Sequence, residues 1–371
     1  MKSVLYIIGT LSGGGAQRVL CDYILNRQRL KNYKMSVFVL GSKGESVYEK
    51  IISNENIQIE YGNIKDGGGS LFSAVLRMIK SQFVICKVLT RISPDIVHTH
   101  VSDISMHMIL PIILVKTKKV FHTMHSDPFH IRFRDFIFTY ILFHWLNVHP
   151  IAVTEKQAQR AIKRYRLDGC DILNNNIDVK KIKRKLAHVT KRHIKESYSI
   201  DYNTYVIGTV GRLSEVKNYD GLIKIFQKYI QRKPNSMLVL VGDGPEYGVL
   251  KQLAENLHVS SKVLFLGNIN SEDVYKIYKM FDLFIMTSHS EACPMVSLEA
   301  QLAGCKCLFS YAIPDDIAFT RNVHFMSKNA SIDDWVAAME QDKFNYACIK
   351  SVSDIDITYL ISKLERLYDK Y

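Results

Sequence analysis

A chain of 371 residues, 47% hydrophobic and 23% charged, is too long for one ordinary core and too apolar for a disordered polymer, and it suits two α/β domains. Its formal net charge of +13 is lopsided: residues 1–200 hold 31 Lys+Arg against 15 Asp+Glu, a balance of +16, and residues 201–371 hold 18 against 21, a balance of −3. A basic half suits nucleic acid, an anionic membrane or a polyanionic substrate, and the absence of a recognised nucleic-acid module argues against the first.

The chain opens with a short buried strand, Val4–Ile8, which breaks at Gly9 and is too short for a secretory signal core. Residues 13–15 form a glycine turn and residues 16–29 a helix by apolar spacing. A second strand is expected over 35–40, and a loop with three glycines over 66–69. Pro94 introduces a strand over 95–100, on which His98 and His100 share a face. A strand over 118–122 runs into His125, and one over 151–154 ends in Thr154, which caps the helix starting at Glu155. The longest apolar runs, 104–115 and 136–148, contain His, Asn or Pro and fall short of the about 20 residues of a spanning helix. These features predict a chain of the cytosol with no membrane span. Seven scattered cysteines (Cys21, Cys86, Cys170, Cys293, Cys305, Cys307 and Cys348) fit free thiols in a reducing compartment.

Residues 171–185 are polar and basic, with Asn174, Asn175 and Asn176 in a row, and look like a hinge. Beyond them the pattern restarts, with strands over 205–210, 237–241, 262–266 and 283–286, each followed by a turn and a helix. Strands alternating with helices imply parallel sheets covered on both faces. The expected division is an N-terminal domain over 1–173, a hinge region over 174–200, a C-terminal domain over 201–350 and a final helix over 351–371 packing back on the first domain. Ligands of such domains gather at strand carboxyl ends and in interdomain clefts.

Four features fall on those loop positions. After the first strand of the second half, Gly211 permits close backbone approach, and Arg212 and Lys217 offer a planar fork and a point charge suited to a diphosphate. Gly242-Asp243-Gly244 makes a tight turn at the next strand end, and Leu266 lies where backbone groups can meet a flat base edge. The fourth feature is Glu291-Ala292-Cys293-Pro294-Met295-Val296, with Glu299 further on. Pro294 suits the first turn of a helix, whose free N–H groups attract phosphate. Two carboxylates there can each hold a pair of vicinal hydroxyls, or else Glu291 is a helix cap and Glu299 a surface residue.

In these residues the chain resembles glycosyltransferase family 4. The spacing of Glu291 and Glu299 matches that family's paired glutamates, Arg212 and Lys217 its phosphate-binding pair, Gly242-Asp243-Gly244 its turn, and Gly13-Gly14-Gly15-Ala16-Gln17-Arg18 its N-terminal glycine loop. Asn175-Asn176-Ile177-Asp178 matches the interdomain segment, and residues 299–310 look like the branch that builds bacterial capsular and exopolysaccharides. The resemblance implies a GT-B fold, two Rossmann-like domains with parallel sheets facing a cleft, and a retaining hexosyltransferase. It gives catalytic roles to His125, Arg212, Lys217 and Glu291. Donor contacts fall to Gly14, Gly15, Gly211, Gly242, Leu266, Ala292, Cys293, Pro294, Met295, Val296 and Glu299.

The implied donor is a nucleotide-diphosphate sugar, UDP-sugar first, with no metal or other cofactor required. The implied acceptor is lipid-linked or a glycan, met at the inner face of an anionic membrane. Ala292, Asn176 and Gln17 depart from the family's usual Gly, Gly and Glu. The Asn is expected to keep a left-handed backbone. The rivals are a sugar-nucleotide epimerase or hydrolase on the same fold, and an inactive partner subunit.

Overall fold

The computed structural model describes residues 1–12, 14–64, 70–117, 119–270, 273–348 and 350–371. The glycine-rich loop expected over 66–69 and the first glycine of the turn at 13–15 lie outside the described residues. The chain divides into two compact units, residues 1–175 with 357–371, and residues 176–356.

The first unit is built on strands β1 (Lys2–Ile8), β2 (Tyr33–Val39), β3 (Gln58–Tyr61), β4 (Ile96–His100), β5 (Lys119–Thr123), β6 (His149–Ala152) and β7 (Asp171–Ile172). All pair in parallel, in the order β3-β2-β1-β4-β5-β6-β7. Its helices are α1 (Gly15–Leu25), α2 (Val47–Asn54), α3 (Leu71–Ile92), α4 (Ser105–Val115), α5 (Phe133–Trp145) and α6 (Glu155–Tyr165). Side chains alternate across a strand, and β1 divides accordingly. Val4, Tyr6 and Ile8 enter one core with α1, and Leu5 and Ile7 enter a second with residues of α3 to α6. Parallel connections turn right-handedly, so reversing the strand order at β1 sends the later helices to the opposite face. The expected helix over 16–29 is shorter: α1 closes at Asn26, whose amide N–H and Nδ2 both donate to the carbonyl of Asp22, and a 3-10 turn covers Arg27–Arg29. The predicted cap is present, Thr154 Oγ1 accepting from the Gln157 amide at 3.1 Å.

The second unit starts with α7 (Val179–Leu186) and α8 (Lys191–Ser197), followed by β8 (Tyr205–Val210), α9 (Tyr219–Arg232), β9 (Ser236–Val241), α10 (Tyr247–Asn256) and β10 (Val263–Gly267). It continues with α11 (Val274–Tyr278), β11 (Leu283–Met286), α12 (Met295–Leu302), β12 (Lys306–Phe309), β13 (Val323–Phe325) and α13 (Ile332–Glu340). Its parallel sheet runs β10-β9-β8-β11-β12-β13. Gly208 in β8 is fixed by packing, since a Cβ there would lie 2.2 Å from the Phe281 ring. Helix α14 (Ile357–Lys370) returns to the first unit, where Leu360, Leu364 and Tyr368 join the core of α1.

The polar stretch after residue 171 is structured. Val179, Ile182 and Leu186 bury one side of α7, Asp178 caps it, and its lysines and Arg184 make the other side. Asn176 does not take a left-handed backbone. Its amide instead donates to the carbonyls of Asp354 and Asp356 at 2.9 and 2.8 Å. The basic run 180–185 thus belongs to the second unit, and by unit the charges are 26 Lys+Arg against 15 Asp+Glu in the first and 23 against 21 in the second.

Candidate active site

In the second unit the strand order reverses between β8 and β11, the place where an α/β sheet opens a crevice at its carboxyl end. The loops that leave these two strands are laced together. The His289 amide donates to the Val216 carbonyl at 2.8 Å, Asn218 Nδ2 donates to the Thr287 carbonyl at 3.1 Å, and Thr287 Oγ1 donates back to the Asn218 carbonyl at 2.8 Å. Asn218 supports this by taking a left-handed backbone, φ 55°, at the entry to α9.

Across the laced loops Lys217 and Glu291 form an ion pair whose side chains are 20% and 12% exposed, and Ser288 Oγ donates to Glu291 Oε1 at 2.9 Å. Arg212, on the loop after β8, is exposed. A half-buried cation held by a carboxylate, with a guanidinium on the same loop, is an arrangement that accepts an anionic ligand at little reorganisation cost.

The neighbouring strand ends close on this loop through backbone. The amides of Gly211 and Leu213 donate to the carbonyls of Val241 and Asp243 at 2.9 and 3.0 Å, and that of Gly242 to Gly267 at 2.8 Å. Gly242 has φ 129°, and a Cβ on it would lie 2.0 Å from the Gly211 oxygen. Only glycine allows the turn after β9 to press so closely on the loop that carries Arg212. Leu266 is half-buried in β10 beside the register shift between Phe265 and Gly267.

Helix α12 begins immediately after Pro294, its N-cap, which supplies no side-chain bond. Ala292, Cys293, Pro294 and Met295 are buried and Val296 is half-buried. Glu291 therefore does not cap this helix, and Glu299 is not on its surface. Glu299 is 4% exposed, and the Tyr278 hydroxyl donates to its Oε2 at 2.9 Å. Burial, and then Glu299, push the Tyr278 hydroxyl pKa well above its usual value, so it stays a neutral donor.

The structure thus gathers Gly211, Arg212, Lys217, Gly242, Glu291, residues 292–296 and Glu299 at the carboxyl ends of one sheet. Gly14, Gly15 and His125 belong to the first unit. Gly14 is the N-cap of α1 with φ 139°, and Gly15 opens the helix. His125 follows β5, and its Nε2 hydrogen-bonds with His100 Nδ1 at 2.9 Å, the rings stacked. His100 in turn stacks on His98, which hydrogen-bonds to Tyr368 and to Thr123. His98 and His100 are both fully buried, so neither is a surface residue. Burial, and then His122, lower the His125 pKa to about 3, so a neutral ring is presented there.

Sequence reasoning missed Asn218, Thr287, Ser288, Tyr278 and His100 as supports. Thr287 and Ser288 were adjacent to a recognised glutamate, a signal that could have found them. Tyr278 is on another element, and only the fold brings it to Glu299. Among the described residues no group of three or more His, Cys, Asp or Glu could hold a metal ion, and no helix is long and apolar enough to cross a membrane.

Residues 190–341 match the family described as Glycosyl transferases group 1, a stretch that takes in Arg212, Lys217, Gly242, Glu291 and Glu299. The N-acetyl-alpha-D-glucosaminyl L-malate synthase of Bacillus anthracis is 32% identical over 115 residues, 31% of this chain and 29% of that protein. The UDP-Gal:alpha-D-GlcNAc-diphosphoundecaprenol alpha-1,3-galactosyltransferase of Escherichia coli is 27% identical over 250 residues, 64% of this chain and 63% of that one. The chain spans less than two thirds of the length of either relative. The crystal structure of Anabaena HepE in complex with UDP has a TM-score of 0.74 at 17% identity, with 100% of both chains covered. That likeness establishes the fold, and the two parallel-sheet units make it GT-B.

Proposed function

We propose that this chain is a retaining glycosyltransferase of family 4 that moves a sugar from a UDP-sugar to a lipid-linked or glycan acceptor in surface polysaccharide synthesis, working in the cytoplasm against the inner face of an anionic membrane. The observation that carries the reading is the Lys217–Glu291 pair strapped across the β8 and β11 loops, with Arg212 beside it on the chain and α12 starting four residues after Glu291. The names of the relatives add support for the donor and acceptor class, since one acts on a diphosphoundecaprenol-linked sugar with UDP-galactose and another was crystallised with UDP.

The chemistry follows from where charge grows. As the bond from the anomeric carbon to the diphosphate oxygen breaks, negative charge builds on the leaving group. Arg212, Lys217 and the N–H groups opening α12 stabilise that charge by preorganised electrostatics. Lys217 is held in place by Glu291 beforehand, so it moves little at the moment of reaction. Glu291 orients the donor sugar, and Glu299, backed by Tyr278, the ribose. The acceptor hydroxyl attacks from the face the diphosphate leaves, and its proton passes to the leaving phosphate. No cofactor beyond the donor enters these steps.

The test is product analysis with labelled UDP-sugars, with and without a polyprenyl-diphosphate sugar. Transfer that requires the acceptor supports the proposal. Equal sugar release without acceptor, or an epimerised donor, would make the protein a hydrolase or epimerase, and absence of both turnover and nucleotide binding would make it an inactive partner subunit.

A further inference from the structure

In the first unit, α3, α4 and α5 carry apolar side chains that the fold leaves in solvent. On α3, Phe72, Leu76, Ile79 and Phe83 recur every four, three and four residues, which is one side of a helix. They are 72%, 49%, 38% and 54% exposed. On α5, Phe133 and Trp145 are 72% and 75% exposed, with Ile137 on the same side. Ile113 and Leu114 of α4, which packs against both helices, are exposed as well. The core of this layer is already filled from the opposite sides of the same helices, by Ile85, Leu89, Met108 and Leu142. An apolar face of this extent that the core does not use marks an interaction.

Charge selects the occupant. Residues 70–166 hold 14 Lys+Arg against 5 Asp+Glu. Two of those acids, Asp127 and Asp135, are tied to Arg160 and Arg132. Helix α3 has Arg77, Lys80, Lys87 and Arg91 and no acidic residue. A second copy on this face would bring two basic surfaces together. A nucleic acid would neutralise the charge but leave Leu76, Ile79, Ile113 and Leu114 unmatched, because aliphatic side chains do not stack on bases. An anionic bilayer meets both requirements, taking aromatic and aliphatic groups at its interface and Lys and Arg at its headgroups.

We infer that the α3–α4–α5 face docks on an anionic lipid bilayer, with Phe72, Phe133 and Trp145 entering the interface and the basic residues holding the headgroups. It does not depend on which sugar is transferred.

The test is flotation of the full chain with phosphatidylcholine vesicles, with and without phosphatidylglycerol, together with tryptophan emission. The chain has two tryptophans, and Trp335 is buried in the other unit, so a blue shift on adding vesicles reports Trp145 and survives Trp335→Phe. Binding should need phosphatidylglycerol and should weaken in high salt without vanishing. The triple variant Phe72→Ser, Phe133→Ser, Trp145→Ser should bind at least about tenfold more weakly, as lost interfacial insertion requires. Its melting temperature should be unchanged; if it falls, Phe72→Ser alone serves the same comparison. Absence of vesicle binding, or variants that bind like the unaltered chain, would overturn the inference. So would a dimer in sedimentation, or a gel shift with single-stranded nucleic acid, that the triple variant abolishes.

Discussion

The two units repeat one strand order around a central strand, β1 in the first and β8 in the second, yet they furnish the point where the order reverses in opposite ways. In the second unit the loops there are braced by an ion pair, Lys217–Glu291, and by backbone bonds that a glycine at 242 makes possible. In the first unit, β4 and β5 carry three fully buried histidines, His98, His100 and His122, and His125 lies just beyond them. The same scaffold thus supports a charged cluster in one unit and a neutral, hydrogen-bonding one in the other, and topology alone decides neither.

That contrast predicts different responses to acid. Burial lowers His122 from 6.5 to about 4 and holds His98 and His100 well below the ordinary range. The unfolded chain therefore binds protons that the folded first unit refuses. The stability from these neutral rings is complete above about pH 6.5 and is lost as pH falls toward 4, at about 1.4 kcal/mol per pH unit for each histidine. In the second unit burial lowers the pKa of the partly buried His324. Calorimetry at pH 7 and pH 5 should show the transition of the first unit falling by several kcal/mol in stability, and that of the second moving far less. Equal falls in the two transitions would contradict the role given to the buried histidines.

Chemistry should show the reverse asymmetry. Lys217→Ala or Arg212→Ala is expected to lower turnover about a hundredfold or more, the scale of losing one preorganised group facing developing charge. Steady-state assays of each variant against a UDP-sugar check this, and near-normal turnover would remove both residues from the diphosphate's surroundings.

A pair of glycines sharpens the structural side. Both Gly14 and Gly242 have positive φ, but a Cβ at 242 meets the Gly211 oxygen at 2.0 Å, and one at 14 meets only the end of the flexible Gln17 side chain, at 2.7 Å. Gly242→Ala should cost at least about 2 kcal/mol, and Gly14→Ala about 1 kcal/mol, from strain at φ > 0 plus the clash in the first case. Denaturant unfolding of the two variants is the measurement, and equal costs would contradict the close packing of the strand ends.

How far the sequence disclosed these sites depends on locality. Glu291, Pro294 and Glu299 stand within nine residues, and Arg212 and Lys217 within six, so their grouping was legible. The two sheets were legible from strand spacing, because parallel strands buried on both faces are continuous apolar runs. What stayed hidden depended on distant pairing. Tyr278 reaches Glu299 from 21 residues earlier, and Asn176 uses its amide on residues 354 and 356 rather than a left-handed backbone. The histidine pair at 98 and 100 gave its common face but not its burial, which requires Tyr368 from the far end of the chain.

The smallest effect should come from the buried carboxylate. Glu299→Gln retains the side chain's shape and one acceptor for Tyr278, so turnover should hold while the donor KM rises several-fold, by about 1 kcal/mol for one weakened hydrogen bond to the ribose. A fall in turnover with KM unchanged would move Glu299 from donor binding to the chemical step.

Arg212, Lys217 and the start of α12 are expected to form a nucleotide diphosphate site in the second unit. Titration calorimetry of UDP into the full chain and into Arg212→Ala and Lys217→Ala tests it directly. Binding by the unaltered chain and a loss of at least about tenfold in each variant, the scale of one charge-assisted contact, is the expected result. UDP affinity unchanged in both variants would contradict it.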